Sequence, residues 1–395
     1  MSSRLLRFSV VLFACCVCVT SYACLWDTET LWQERGFAPS TLEVIVGKFP
    51  RHSDAYYEWR RKDRLKKLES EPQNDALIDD LAVAYEKLGR HGDAIAAARS
   101  QLARQPKRYE TLANLGTFLI HDGQLEEGLG YIEQAIEVNP DAHFGREKYQ
   151  RLLVKYLLLK SSDGKYELPL ASSRIDEKSF WYNYLFVRFA AIELSDGEAT
   201  SLDKAELLAA LEGVTGMMRF SRHDHPVLLE VLGEILQALG HKRLAYRSYR
   251  KAALASEDES ARNAYELFAS RVIDGQYQRG NTDEPISVEM VNARFDSEQR
   301  DADEWFANVA KKEAEWIADD EDVDARFAEA FRLPPVSVDL DDDEIDRSPH
   351  HVMGNPAGVF VGKLIIAGMG IAGILGCVLL LVMHRKRSRR LPTGR

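Results

Sequence analysis

The sequence predicts an all-α chain: a solenoid of stacked helical hairpins followed by a single C-terminal transmembrane helix. Three observations carry that expectation. Small and turn-forming residues recur at a fixed period, a second set repeats the same internal offsets further on, and a long uncharged apolar run lies near the C-terminus.

The period is 34 residues: Leu81, Ala82, Gly89, Ala94 and Pro106 recur as Leu115, Gly116, Gly123, Gly128 and Pro140. That length suits a helix–turn–helix unit whose apolar stripes are buried only by stacking on neighbours. Small residues fall where two helices cross closely. Glycine falls at the turn, where a left-handed backbone is cheap for it alone, and proline ends each unit. Leu232-Gly233, Gly240, Ala245, Tyr249 and Ala252 repeat the internal offsets of the second unit. Gly116 to Gly233 is 117 residues, not a multiple of the period, so non-repetitive sequence separates them. The expected units are two tandem hairpins over 73–140, a diverged helical segment over 141–225, and a third hairpin plus a helix over 226–275.

These spacings resemble the tetratricopeptide repeat. The segment Cys24-Leu25-Trp26-Asp27-Thr28-Glu29-Thr30-Leu31, with Tyr56-Tyr57-Glu58-Trp59-Arg60, is similar to the N-terminal signature of exported, membrane-anchored bacterial tetratricopeptide-repeat proteins of planctomycete type. The resemblance covers residues 24–140. It implies the helical-hairpin fold and carries no catalytic residues.

Residues 1–23 read as a secretory signal peptide: Arg4 and Arg7, an apolar core from Phe8 to Val19, then Ser21-Tyr22-Ala23 as a cleavage site. Residues 24–72 are expected to form a divergent helical cap, with helices over Ser40–Phe49 and Ser53–Leu68 entered at Pro39 and Pro50. Within 141–225, helices are expected from Phe144 to Leu159, Glu177 to Leu194 and Asp203 to Arg219. Residues 276–332 read as an acidic amphipathic helical segment; within it Glu298 to Ile317, with Trp305, Phe306, Val309, Ala310, Trp316 and Ile317 in helical spacing, is a candidate C-terminal cap of the stack. A proline-containing acidic linker over 333–358 leads to the transmembrane helix at 359–383. Its uncharged part, Leu364 to Met383, is 20 residues, or about 30 Å of helix. The basic tail 384–395 follows at once and assigns that end to the cytoplasmic side.

The formal net charge is −11. Residues 281–346 hold 22 acidic and 6 basic side chains, which leaves the rest of the chain net positive. That stretch reads as a solvated spacer, and the overall sign argues against a nucleic-acid partner. Of five cysteines, only Cys24 would face the exported side, so no intramolecular disulfide is expected there. Cys24 could instead carry lipid, form an intermolecular disulfide, or simply pack.

No nucleotide loop, nucleophile elbow or calcium loop is present, so neither a cofactor nor catalysis is expected. The function expected is that of a membrane-tethered scaffold whose concave solenoid surface binds a peptide or helix of another envelope protein. Candidate lining residues are Asp79, Val83, Glu86 and Lys87 from the first hairpin, and Asn114, Phe118 and His121 from the second. Asn114 stands out because an amide can both donate to and accept from a partner's backbone. The alternative is a metal-binding protein or enzyme with its site near His223 and His225. Gly368, Ala372 and Gly376 lie on one face of the transmembrane helix and could pair two copies.

Overall fold

The computed structural model describes residues 25–28, 39–140, 146–162, 165–171, 185–273 and 288–331. The signal peptide, Cys24, the linker, the transmembrane segment with Gly368, Ala372 and Gly376, and the basic tail lie outside the described residues. Among the described residues there are fourteen helices and no strand. No helix among them is long and apolar enough to cross a membrane.

The first helix whose bounds lie among the described residues is the short α1 (Thr41–Val46). A capping box starts it: the Ser40 hydroxyl accepts from Glu43 N, and the Glu43 carboxylate accepts from Ser40 N. Helix α2 (Asp54–Ser70), capped by Ser53, begins the stack. There follow α3 (Asp75–Lys87) and α4 (His91–Arg104), then α5 (Tyr109–His121) and α6 (Leu125–Val138), and then α7 (Arg146–Lys160). Each helix from α2 to α7 packs on the next, which is the succession of a solenoid. The turn of the second hairpin is at Gly123, at φ +82°, and those at Gly89 and Gly240 are of the same kind. Within that hairpin, α5 and α6 approach so closely that a Cβ on Gly128 would sit 2.7 Å from the Gly116 carbonyl oxygen. What recurs at 34 residues is the left-handed turn glycine, Gly89 and Gly123, whereas the crossing is closest in the second hairpin, where Gly116 and Gly128 replace Ala82 and Ala94.

Helices α8 (Leu185–Leu194) and α9 (Lys204–Phe220) continue from α7, and α9 packs directly on both α7 and α10 (Pro226–Ala238). The diverged middle thus belongs to the same stack. Helices α10 and α11 (Lys242–Ala255) form the third hairpin, in which the Tyr249 ring fills the space over Gly233. Helix α12 (Glu259–Ile273) follows against α11.

Two features depart from a simple row of hairpins. Helix α1 precedes α2 in sequence but packs among α9, α11 and α13 (Val288–Ala318), well along the stack. Helix α13 has 31 residues, about 46 Å, and it crosses back to pack on α2. Its acidic residues are not left in solvent. Glu298 makes a two-pronged ion pair with Arg247 of α11 at 2.7 and 2.8 Å, both side chains buried. Glu313 accepts from Ser53 N at 2.9 Å and lies 2.6 Å from His52 Nδ1. Asp324, in the short helix α14 (Val323–Ala330), accepts from the Tyr56 hydroxyl and from Arg64. Residues 288–331 are thus a docked brace rather than the solvated spacer their charge suggests. The physical reason is complementarity: the acidic part of the chain neutralises cations on α2 and α11.

Candidate peptide-binding groove

On helix α3, Asp79 and Glu86 meet Arg108 and His121 at the two ends of α5, the first helix of the next hairpin, and Val83 shares a core cluster with Phe118 of α5; Asp80 turns to α2 and Lys87 to Phe220 and Ser221. The expected lining positions are three and four residues apart along each helix. They do not form an open surface. Val83, Asn114, Phe118 and His121 are no more than 2% exposed, and Asp79 and Glu86 are also buried. Val83, Asn114 and Phe118 are covered by the chain's own segment Leu25–Thr28.

That segment is read residue by residue. Leu25, itself buried, packs with Ala82, Val83, Leu115 and Phe118. The Asn114 side-chain oxygen accepts from Trp26 N at 2.7 Å, and its amide donates to Trp26 O at 2.9 Å. The Trp26 ring meets Tyr109 edge-on with centroids 5.6 Å apart. The Asp27 carboxylate accepts from Arg60 Nη1 at 2.9 Å, and Arg60 Nη2 donates to the Thr28 hydroxyl at 3.0 Å. Asp80 accepts from Thr28 N at 3.1 Å and from its hydroxyl at 2.9 Å.

Asp80 ties the seat to α2, because it also accepts from Arg64 Nε at 2.8 Å and pairs with Arg60 at 3.0 Å. Burial disfavours the Arg60 charge, but Tyr56, Asp27, Asp80 and Asp324 outweigh burial and hold the guanidinium protonated. Burial would raise the Asp80 pKa, yet Arg60 and Arg64 bring it below the usual carboxylate range. A charged cluster of this kind is fixed in geometry because each charge needs its neighbours to stay buried.

The other predicted residues have separate partners. Asp79 takes a bidentate pair from Arg108 at 2.9 and 2.5 Å, while burial pushes its carboxyl up to about 7. Glu86 lies between two histidines, 2.9 Å from His91 Nδ1 and in contact with His121 Nδ1. Burial opposes its charge, but the two imidazoles hold the carboxyl at about 2. Lys87 is half-buried and donates to the carbonyls of Phe220 and Ser221 at 2.8 and 2.9 Å. The structure therefore brings Val83, Asn114 and Phe118 together around the N-terminal segment. Asp79, Glu86, His121 and Lys87 serve joints between helices.

Sequence reasoning missed Arg60, Arg64 and Asp80, which carry the polar half of the seat. Their signal was available: two arginines four residues apart on α2, and a second acid beside Asp79.

His223 and His225 do not converge on a common site. His225 Nδ1 accepts from Val227 N at 3.3 Å and so caps α10. His223 packs edge-on against Phe49 and presses on Gly47, where an added Cβ would lie 2.3 Å from its Nε2. Among the described residues no group of three or more His, Cys, Asp and Glu is placed to hold a metal ion.

No family model matches the chain. No curated protein matches it either.

Proposed function

We propose that the chain is a membrane-tethered protein–protein interaction scaffold, in which exported hairpins of tetratricopeptide type bind a peptide or helix of another envelope protein. One observation carries this reading: a short segment, Leu25–Thr28, already lies against the hairpins, gripped at the Trp26 backbone by Asn114, at the Thr28 backbone and hydroxyl by Asp80, and at the Asp27 and Trp26 side chains by Arg60 and Tyr109. The seat accepts a peptide of apolar, aromatic, acidic and hydroxyl residues in order, and the resident copy of that pattern is Leu25-Trp26-Asp27-Thr28. An incoming segment of the same chemistry would compete with it. The tether is residues 333–383, with the signal peptide placing the hairpins on the exported side and the basic tail 384–395 holding the other end in the cytoplasm.

The test places a photo-crosslinking phenylalanine analogue at Phe118 in the native host. With Trp26 and Asp27 both replaced by alanine, a crosslink to a second protein is expected. If the crosslinker stays unreacted toward other proteins in that variant, the scaffold reading fails.

A further inference from the structure

Helix α2 carries Tyr56, Arg60 and Arg64 at spacings of four residues, so the three form one stripe along it. Two segments far apart in sequence meet on that stripe. From the seated segment, Asp27 accepts from Arg60 Nη1 at 2.9 Å and the Thr28 hydroxyl from Arg60 Nη2 at 3.0 Å. From the end of the brace, Asp324 of α14 accepts from the Tyr56 hydroxyl at 2.6 Å and from Arg64 Nη2. Phe327 follows one turn on, buried, with its ring centroid 3.9 Å from that of His52.

The two sides share the groups that hold them. Asp80 pairs with Arg60 at 3.0 Å and accepts from Arg64 Nε at 2.8 Å, and the same carboxylate accepts from Thr28 N and the Thr28 hydroxyl. Tyr56 gives a second link, because its hydroxyl holds Asp324 while its ring centroid lies 5.8 Å from the Arg60 guanidinium. Arg60, Arg64 and Asp80 are each no more than 4% exposed. Arg64 also meets Asp63, itself neutralised by Lys67 at 2.8 Å. With Asp63 and Asp80 both on α2 and α3, α14 can leave without stranding the Arg64 charge.

Emptying the seat takes Asp27 and Thr28 from Arg60, takes the Thr28 bonds from Asp80, and opens a path for water to both arginines. Ion pairs of this kind are strong only while water is kept out, so the Arg64–Asp324 pair weakens with them. Loss of the Asp27 charge acts the other way, by relieving its repulsion of Asp324. That effect works across the width of Arg60, whereas hydration and the freeing of Asp80 act on groups in contact with Arg64. We propose that seat occupancy and the docking of α14 are coupled through Arg60, Arg64 and Asp80: a filled seat holds the end of the brace in place, and an empty seat loosens it. The coupling rests on the scaffold reading, in which the resident segment gives way to a partner. The interval between the two is then registered at α14, which leads in sequence to the proposed tether.

Hydrogen exchange of the purified full chain tests this. With Trp26 and Asp27 both replaced by alanine, the amides of α14 should exchange about fivefold faster, while those of α6 keep their rates. A saturating peptide spanning residues 24–31 should restore the slow exchange. Coupling is reciprocal, so Asp324→Asn in the same background should weaken peptide binding by the same factor. Asp301→Asn, which breaks an exposed pair between α13 and Lys48, should leave the affinity unchanged. Circular dichroism checks folding, and if the double variant unfolds, Asn114→Ala is read in its place. Unchanged α14 exchange in the folded, emptied chain, or Asp324→Asn binding the peptide like its parent, would overturn the coupling. A peptide that binds none of the variants would instead sink the recognition reading, and the exchange rates of parent and emptied chain would still decide the coupling.

Discussion

Asn114 pairs with both backbone groups of Trp26, accepting from its N–H at 2.7 Å and donating to its carbonyl at 2.9 Å. One side-chain amide thereby does for residue 26 what a neighbouring β-strand would do. The partners lie 88 residues apart in sequence and the amide is buried. Replacement by alanine removes two bonds of roughly 1 kcal/mol each and leaves two backbone groups to find other partners. Asn114→Ala is expected to expose the Trp26 amide to hydrogen exchange while the amides of α5 stay protected. Equal protection in both proteins would mean that the segment is held by its other contacts alone.

The hairpin glycines divide into two physical classes with different expected costs. Gly123 has open space around its Cβ direction but sits at φ +82°, so Gly123→Val pays only strain, on the order of 1–3 kcal/mol. Gly128 is helical, and its added Cβ would meet the Gly116 carbonyl at 2.7 Å and Ile120 Cγ1 at 2.6 Å. Gly128→Ala must therefore separate α5 from α6. Gly130, on the same helix with nothing nearby, is the control: Gly130→Ala should be neutral or gain about 0.5–1 kcal/mol. Thermal melts of the three variants check the order, and a destabilising Gly130→Ala would contradict it.

Glu234 predicts a pH dependence. It accepts from Phe186 N at 2.8 Å at the start of α8, while burial and then the neighbouring Glu230 push its carboxyl up to about 8. Its folded pKa is raised, so the native state holds its proton more tightly than the unfolded chain does. Stability is therefore lost as pH rises between about 4.5 and 8. Glu234→Gln keeps an acceptor for Phe186 N and removes the titration. Relative to the parent, the variant should gain stability from pH 5 to pH 9, on the order of 3 kcal/mol across the window. Parallel stability curves would show that Glu234 is ionised without cost.

His91 gives the opposite sign. Its hydrogen bonds to Glu86, at 2.9 and 3.0 Å, raise its pKa against partial burial. The stabilisation is fully present below the unfolded histidine value and is lost as pH rises through the folded one. His91→Ala should therefore cost more at pH 5 than at pH 8.5, as read by denaturant midpoints. An equal cost at both would assign the side chain a packing role only.

The repeat was legible because its determinants are local and steric: a turn glycine, a small residue at a helix crossing, a terminating proline. Those constraints recur wherever the hairpin recurs, so they leave a period. The brace was legible as an amphipathic helix that could cap the stack, but its partners were not. His52 and Glu313 meet across 261 residues, and no short-range pattern distinguishes an acid that will find a buried histidine from one that faces water. The groove was half legible. Helical spacing identified the faces of α3 and α5, including Asn114 and its capacity for two backbone bonds. It could not say that these faces are covered by the chain's own Leu25–Thr28.

The most direct measurement of the central claim is binding in trans. A fluorescent peptide spanning residues 24–31 is titrated with the chain whose own Trp26 and Asp27 are replaced by alanine. Saturable binding that weakens sharply on adding Asn114→Ala is the predicted result. If the folded double variant binds no peptide, the seat is a structural joint rather than a recognition site, and the account is contradicted.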